Sequence, residues 1–215
     1  MTATALHDPA CRRCPRLADF LDGVRAQRAD YFAAPVPSFG APHARLLIVG
    51  LAPGMHGANR TGRPFTGDYA GLLLYRGLHA LGFASAPESL AAGDGLTLTD
   101  CRIANAVKCL PPANKPLPEE ISACNAFLRA ELAQLPPGGV VLALGHVAHQ
   151  AVLRAVGEKP GRFRFAHNAS HRLPDGRWLV DSYHTSRYNV QTGRIDAAMF
   201  AAALASARDL IEPAP

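Results

Sequence analysis

Short apolar runs, bounded by polar or glycine-rich stretches, recur along this chain and have the length of buried strands. Continuous apolar strands of this kind are typical of a parallel sheet that helices cover on both faces. Four segments show the pattern: 45–50, 102–107, 139–144 and 178–183. The pattern therefore predicts a central, mainly parallel, four-stranded sheet.

Stretches with apolar residues at helical spacing alternate with these runs and predict four helices, over residues 71–81, 118–135, 146–156 and 196–211. The second begins with Pro118 and two glutamates, which suit a first helical turn, and ends before Pro136. Strands that alternate with helices predict an α/β class, here a three-layer α/β/α sandwich. Residues 84–96 and 111–118 are predicted loops, and residues 1–9 and 213–215 are predicted loose ends.

The composition is that of an ordinary globular protein with a sizeable core. The 215 residues are 48% hydrophobic, with a mean hydropathy of +0.02, and fit one domain, 1–215. No apolar run reaches the roughly 18 residues of a membrane span, and the N-terminus lacks the layout of a signal peptide. We therefore expect a cytoplasmic protein that does not bind membranes.

Positive charge is concentrated in the last third of the chain. The net charge is +5, and the segment 154–194 contains eight Lys or Arg residues but three acidic ones. A local basic excess favours a polyanionic partner, because cationic side chains contact phosphates and release counterions. A solvated basic face without a partner explains the same charges, so charge alone decides nothing.

Four of the five cysteines have a spacing that indicates a metal centre rather than a disulfide framework. Cys11 and Cys14 form a C-x2-C pair, whereas Cys109 and Cys124 are separated by 14 residues that span a proline-rich loop and a predicted helix start. Structural zinc sites commonly have two short pairs, so this spacing favours an iron–sulfur cluster, with zinc or unrelated thiols as alternatives. Cys101 lies in an apolar run and is predicted to be a core thiol.

Two polar loops, 50–68 and 184–194, each follow a predicted strand. Ligands of α/β sheets bind at the carboxyl ends of the strands, so both loops are expected at one edge. The first loop has no phosphate-binding Gly-Lys-Ser/Thr, and its glycines instead allow backbone amides to approach a flat ligand. Phe65 is placed to stack on a ring, and Asp68 to act on the bond that breaks.

Several motifs together resemble family 5 uracil-DNA glycosylases, the prokaryotic iron–sulfur members of their superfamily. The resemblance is carried by Gly50-Leu-Ala-Pro-Gly54, by residues 59–68 and 105–115, by His184-Thr-Ser-Arg-Tyr-Asn189, and by the cysteine order. It implies a structural 4Fe–4S cluster bound by Cys11, Cys14, Cys109 and Cys124.

The resemblance also implies an activity. The enzyme would extrude uracil, hypoxanthine or another deaminated or modified base from DNA and hydrolyse its N-glycosidic bond, leaving an abasic site for base-excision repair. The catalytic residues would be Asp68 and His184. The base would be bound by Ala52, Gly54, His56, Phe65 and Asn105, and the DNA by Ser186, Arg187, Tyr188 and Asn189.

Each of these residues also has an ordinary structural explanation. Asp68 suits the N-cap of the following helix, Phe65 suits a core, and His56 suits a hydrogen bond within its own loop. Residues 51–53 carry no polar side chain that would activate water, so Asp68 takes that role by elimination.

The chain has three lysines, Lys108, Lys115 and Lys159, and none lies in a proposed catalytic motif. We therefore expect no Schiff-base lyase step. The competing hypotheses are a non-catalytic nucleic-acid-binding module, stabilised by zinc or an iron–sulfur centre, and an α/β enzyme that acts on free nucleosides. No additional interface motif is visible, so a monomer is expected.

Overall fold

The computed structural model describes residues 6–211. Its helices are α1 (Pro15–Gln27), α2 (Ala58–Thr61), α3 (Tyr69–Ala80), α4 (Pro118–Gln134), α5 (His146–Ala155), α6 (Arg187–Gln191) and α7 (Ala197–Asp209). Its strands are β1 (Phe39–Gly40), β2 (Leu46–Gly50), β3 (Cys101–Asn105), β4 (Val140–Leu144), β5 (Ser170–Arg172) and β6 (Trp178–Ser182).

The strands form one six-stranded sheet in the order β1-β3-β2-β4-β6-β5. The four predicted strands are its parallel centre, with Ile48 paired to Ile103 and to Leu142. The predicted number of four strands is wrong, because β1 and β5 add antiparallel edges. These edges are two and three residues long and carry no fully buried side chain, so they leave no apolar run in the sequence.

Side chains of each central strand alternate between two cores, one on each face of the sheet. Leu47 and Val49 pack with residues of α1, α4 and α5, whereas Leu46 and Ile48 pack with residues of α3 and α7. Strands buried on both faces explain the continuous apolar runs. The three-layer α/β/α architecture is therefore confirmed.

The four predicted helices correspond to α3, α4, α5 and α7, each within two residues at either end. Helix α1 was not predicted, although Leu17, Leu21 and Val24 repeat at helical spacing and are buried. Residues 1–5 and 213–215 of the predicted loose ends lie outside the described residues, and the His7 ring lies 2.7 Å from the Pro35 carbonyl oxygen. Within residues 6–211, no helix has the length and apolar character that crossing a bilayer requires.

Candidate active site

The segments that follow β2, β3 and β6 meet at the carboxyl edge of the sheet and line one open pocket. Parallel strands place their carboxyl ends at one edge, which explains why three distant segments converge. The lining residues are Leu51, Ala52, Gly54, Ala58, Phe65, Asp68, Ala70, Asn105, Asn114, His184 and Ser186.

Asp68 is both the N-cap of α3 and a residue of the pocket. Its Oδ1 accepts a hydrogen bond from the Gly71 amide at 3.1 Å, as an N-cap does. Its Oδ2 lies against Gly57, where an added Cβ would be only 2.1 Å away. Burial raises the pKa of Asp68, and the amides of Gly71 and Ala70 oppose that rise only in part. Oδ1 thus caps the helix, whereas Oδ2 lies beside Gly57.

His184 lies opposite, in the loop after β6, with its backbone held from two sides. The Asn189 amide donates to the His184 carbonyl oxygen at 2.8 Å, and the neighbouring Thr185 hydroxyl donates to the Ala70 carbonyl oxygen at 3.0 Å. The second bond ties this loop to the first turn of α3, beside Asp68. Desolvation lowers the pKa of His184 to about 4, so the ring is neutral at physiological pH.

Phe65 forms an aromatic wall next to His184. The two ring centroids are 5.9 Å apart, with the planes inclined by 31°. An added Cβ on Gly50 would be 2.6 Å from Phe65 Cζ and 2.4 Å from Asn105 Oδ1, so only glycine at that position lets both side chains pack there. Phe65 itself has a φ of 54°, a backbone conformation that is strained for an aromatic residue and that recurs at functional sites.

An ion pair between buried Arg63 and the more accessible Asp94 holds the segment around Phe65. The Arg63 guanidinium donates to Asp94 Oδ1 at 2.8 Å and to Ser89 Oγ at 2.9 Å, and the Ser89 and Thr66 hydroxyls are 2.7 Å apart. Burial disfavours the Asp94 carboxylate, but Arg63 and three backbone amides outweigh it and lower its pKa to about 2. The predicted loop 84–96 therefore supports the strained turn at Phe65.

Asn105 ends β3 and lies beside the pocket. The side chain is buried, and its Oδ1 has no hydrogen-bond partner among the residues that the structure describes. A buried polar atom without a partner is costly, and a ligand can supply what is missing. The geometry leaves this oxygen available to accept a hydrogen bond.

The residues after His184 form the rim. Ser186 lines the pocket and caps α6, Arg187 stacks over the Tyr69 ring at 5.2 Å, and the Tyr188 side chain is 72% exposed. Asn189, predicted to contact DNA, has its amide committed to the His184 carbonyl oxygen.

The structure separates His56 from the other predicted base-binding residues, because it does not line the pocket and its Nδ1 lies 2.7 Å from the Tyr31 hydroxyl. Asn114 lines the pocket but was not predicted. It and Ala113 both have positive φ values, 55° and 54°, so this loop turns sharply toward the site. No periodic pattern signals that turn. Gly57, which makes room for the Asp68 carboxylate, was also missed.

The four predicted metal ligands line one cavity between α1, α4 and the segment after β3. Cys11, Cys14, Cys109 and Cys124 share it with apolar residues, among them Leu17, Val107 and Phe127. The structure thus brings the four predicted ligands to one place. Cys101 is fully buried in the opposite core, as predicted.

With this geometry in place, comparison with known proteins identifies the class. Residues 37–208 match the uracil DNA glycosylase superfamily, and the chain belongs to it. A type-5 uracil-DNA glycosylase of Thermus thermophilus is 50% identical over 206 residues, 94% of each chain. One from Mycobacterium leprae is 44% identical over 197 residues, 88% of this chain and 86% of the relative. One from Pyrobaculum aerophilum is 40% identical over 200 residues, 90% of this chain and 86% of the relative. The family prediction made from the motifs is confirmed.

Proposed function

We propose that this protein is a base-excision repair glycosylase that hydrolyses the N-glycosidic bond of uracil and other deaminated or modified bases in DNA and leaves an abasic site. The observation that carries the proposal is the placement of Asp68 and His184 around one pocket, in a chain of this superfamily. Relatives that cover most of the chain are named as enzymes, so a non-catalytic binding module is not favoured.

Cleavage of a glycosidic bond builds positive charge on the sugar and negative charge on the departing base. We assign the first to Asp68, whose ionised Oδ2 stabilises the sugar cation, orients the attacking water, or does both. Fixed carboxylates and dipoles stabilise such charges well, because they need no reorganisation during the reaction.

His184 is assigned to the base. A neutral imidazole has an N–H to donate to a base carbonyl oxygen, and its low pKa keeps it neutral while that oxygen gains negative charge. The ring thus acts as a hydrogen-bond donor rather than as a proton source.

Phe65 and Asn105 are assigned to base selection. Phe65 would stack on the extruded ring, with the backbone of Ala52 and Gly54 alongside, and Asn105 Oδ1 would accept a ring N–H. Uracil and hypoxanthine have such an N–H next to a carbonyl, whereas cytosine and adenine have a bare ring nitrogen there. An acceptor at this point therefore disfavours cytosine and adenine, because two acceptors would face each other.

The rim is assigned to the DNA backbone and to the gap that the base leaves. Ser186 is near enough to the pocket to contact a phosphate, Arg187 adds charge, and exposed Tyr188 has the size to fill the vacated stack. We also propose a monomer, because the sequence shows no additional interface motif.

The proposed reaction stops at the abasic site. None of the three lysines lines the pocket, and the Lys108 amine is bonded to Ser38 Oγ at 2.7 Å. Strand nicking that borohydride traps covalently would contradict a monofunctional enzyme.

We further propose that the cysteine cavity holds a 4Fe–4S cluster with a structural role, which links α1 to the segment after Asn105. The shared cavity and the irregular spacing of the cysteines in the sequence support a cluster over zinc. Cys109→Ser should lose iron and the brown colour, whereas Cys101→Ser should keep both. Stoichiometric zinc with no iron in anaerobically purified protein would overturn the cluster.

The test of the activity uses matched duplexes with uracil, hypoxanthine or no lesion, incubated with anaerobically purified protein, and scores alkali-sensitive sites. Cleavage only at lesions, lost in Asp68→Ala with DNA binding retained, supports the enzyme. DNA binding without any cleavage by iron-loaded protein would favour the binding module. Release of uracil from deoxyuridine as fast as from DNA would favour a nucleoside enzyme.

A further inference from the structure

A second group of potential metal ligands lies away from the cysteine cavity and the base pocket. His149 on α5, His171 on β5 and Asp181 on β6 place one ligand atom each within 4.8 Å of one another, the only such group of His, Cys, Asp and Glu side chains in residues 6–211. The His149 and Asp181 side chains are 1% and 0% exposed, and that of His171 is 16% exposed.

Both ring nitrogens of His149 face oxygen atoms that accept hydrogen bonds. His149 Nε2 lies 3.1 Å from the Phe163 carbonyl oxygen, which only accepts, so Nε2 carries a hydrogen. His149 Nδ1 lies 2.7 Å from Asp181 Oδ1, which also accepts when ionised. A neutral imidazole has one N–H, so it cannot satisfy both oxygens. A divalent cation between His149 Nδ1 and Asp181 Oδ1 would bind both of these atoms.

The surroundings favour a metal ion. A metal-bound histidine usually donates its other ring N–H to a backbone carbonyl or carboxylate, which is the contact that His149 makes with Phe163. His171 Nε2 faces the second Asp181 oxygen at 3.3 Å, close to the separation of neighbouring ligands in a tetrahedral zinc site. The distance between His149 Nδ1 and Asp181 Oδ1 would need to increase by roughly half an ångström to allow Zn–N and Zn–O bonds of about 2.0–2.1 Å.

We propose that His149 Nδ1, His171 Nε2 and an Asp181 oxygen bind a divalent zinc ion, with water as the fourth ligand on the partly exposed His171 side. Two imidazoles and one carboxylate are a donor set that zinc accepts. The ion would join α5 to the antiparallel β5–β6 edge, and β6 leads directly to His184. The ion would stabilise this edge of the sheet, independently of the proposed glycosylase chemistry.

The test uses the full-length protein with its cysteine centre loaded, dialysed against a weak chelator and then supplied with zinc. Retained zinc is counted per chain, and X-ray absorption at the zinc edge reports the ligand atoms. We expect one zinc ion with nitrogen and oxygen neighbours at about 2.0–2.1 Å, and a rise in Tm of several degrees.

Two variants and a control complete the test. His171→Ala and the isosteric Asp181→Asn should each lose the zinc while keeping iron and helical circular dichroism, whereas His79→Ala, at an exposed position of α3, should retain it. Three results would overturn the proposal: no retained zinc in the wild type, sulfur neighbours at about 2.3 Å, or unchanged zinc in His171→Ala.

Discussion

The carboxylate of Asp68 rests on the bare Cα of Gly57. A Cβ at Gly57 would lie 2.1 Å from Oδ2 and 2.6 Å from Cγ of Asp68. Glycine is required at this position to make space for the carboxylate, and the packing fixes where Oδ2 stands relative to the pocket.

Gly57→Ala should therefore damage catalysis without unfolding the protein. The methyl group displaces the carboxylate, and a displacement of about 1 Å can cost roughly 100-fold in rate. We expect kcat to fall by about that factor, with the KM for uracil-containing duplex little changed. Single-turnover kinetics measure this. Gly23→Ala is the control, because no atom lies within 4 Å of its added Cβ, and it should keep wild-type kinetics.

Asp68→Asn should make the protein more stable and much less active. Asparagine keeps the N-cap bond to Gly71 but removes a buried charge, and loss of the carboxylate should cost about 100-fold or more in kcat. Because folding raises the pKa of Asp68, ionisation destabilises the wild type, and this cost grows as pH rises through the folded pKa.

Thermal melts across pH measure the stability effect. The Tm of Asp68→Asn should exceed that of the wild type near pH 7.5 and converge with it at low pH, where both side chains are neutral. Asp30→Asn, at an exposed position, should show no such trend. A Tm below that of the wild type for Asp68→Asn at neutral pH would contradict the idea that burying the ionised Asp68 carboxylate destabilises the fold.

The pH profile should lack a histidine titration near 6.5. The pKa of His184 is lowered to about 4, so titration of this ring should produce no inflection in kcat/KM between pH 5.5 and 7.5. Any inflection in that range should therefore persist in His184→Gln. The stability that neutral His184 contributes is fully present above about pH 6.5. It is lost as pH falls toward 4, because the unfolded chain then binds a proton that the folded ring resists. His184→Gln should flatten this acid-side loss of Tm, and an unchanged loss would contradict the low pKa.

Asp94→Asn should weaken base binding through Phe65. Asparagine cannot neutralise buried Arg63, so the turn that holds Phe65 at a φ of 54° loses the ion pair that stabilises it. We expect a several-fold higher KM and a lower Tm. The control is Glu88→Gln, on the same loop as Asp94, which removes an exposed ion pair with Arg76 of α3. It should change neither the KM nor the Tm, since exposed ion pairs contribute little to stability. Equal KM values for Asp94→Asn and wild type would show that the Arg63–Asp94 ion pair contributes to stability and not to base binding.

The parallel centre of the sheet could be predicted because strands such as Leu46–Gly50 are apolar on both faces. The edges could not, because Phe39–Gly40 and Ser170–Arg172 pair through backbone atoms and bury few side chains. Most of the pocket residues could be predicted, because they lie in motifs that come directly after predicted strands. Asn114 does not, because only the sharp turn after Ala113 brings it to the pocket.

The sequence by itself determined the fold class, the family and the residue types of the site. Hydrophobic periodicity and short motifs depend only on residues that are close together in the chain. Tertiary structure decided which Asp68 oxygen caps a helix and which faces Gly57, how far desolvation lowers the pKa of His184, and that His149, His171 and Asp181 meet. Distances, burial and unpaired atoms depend on contacts between residues far apart in the chain, and no local pattern encodes them.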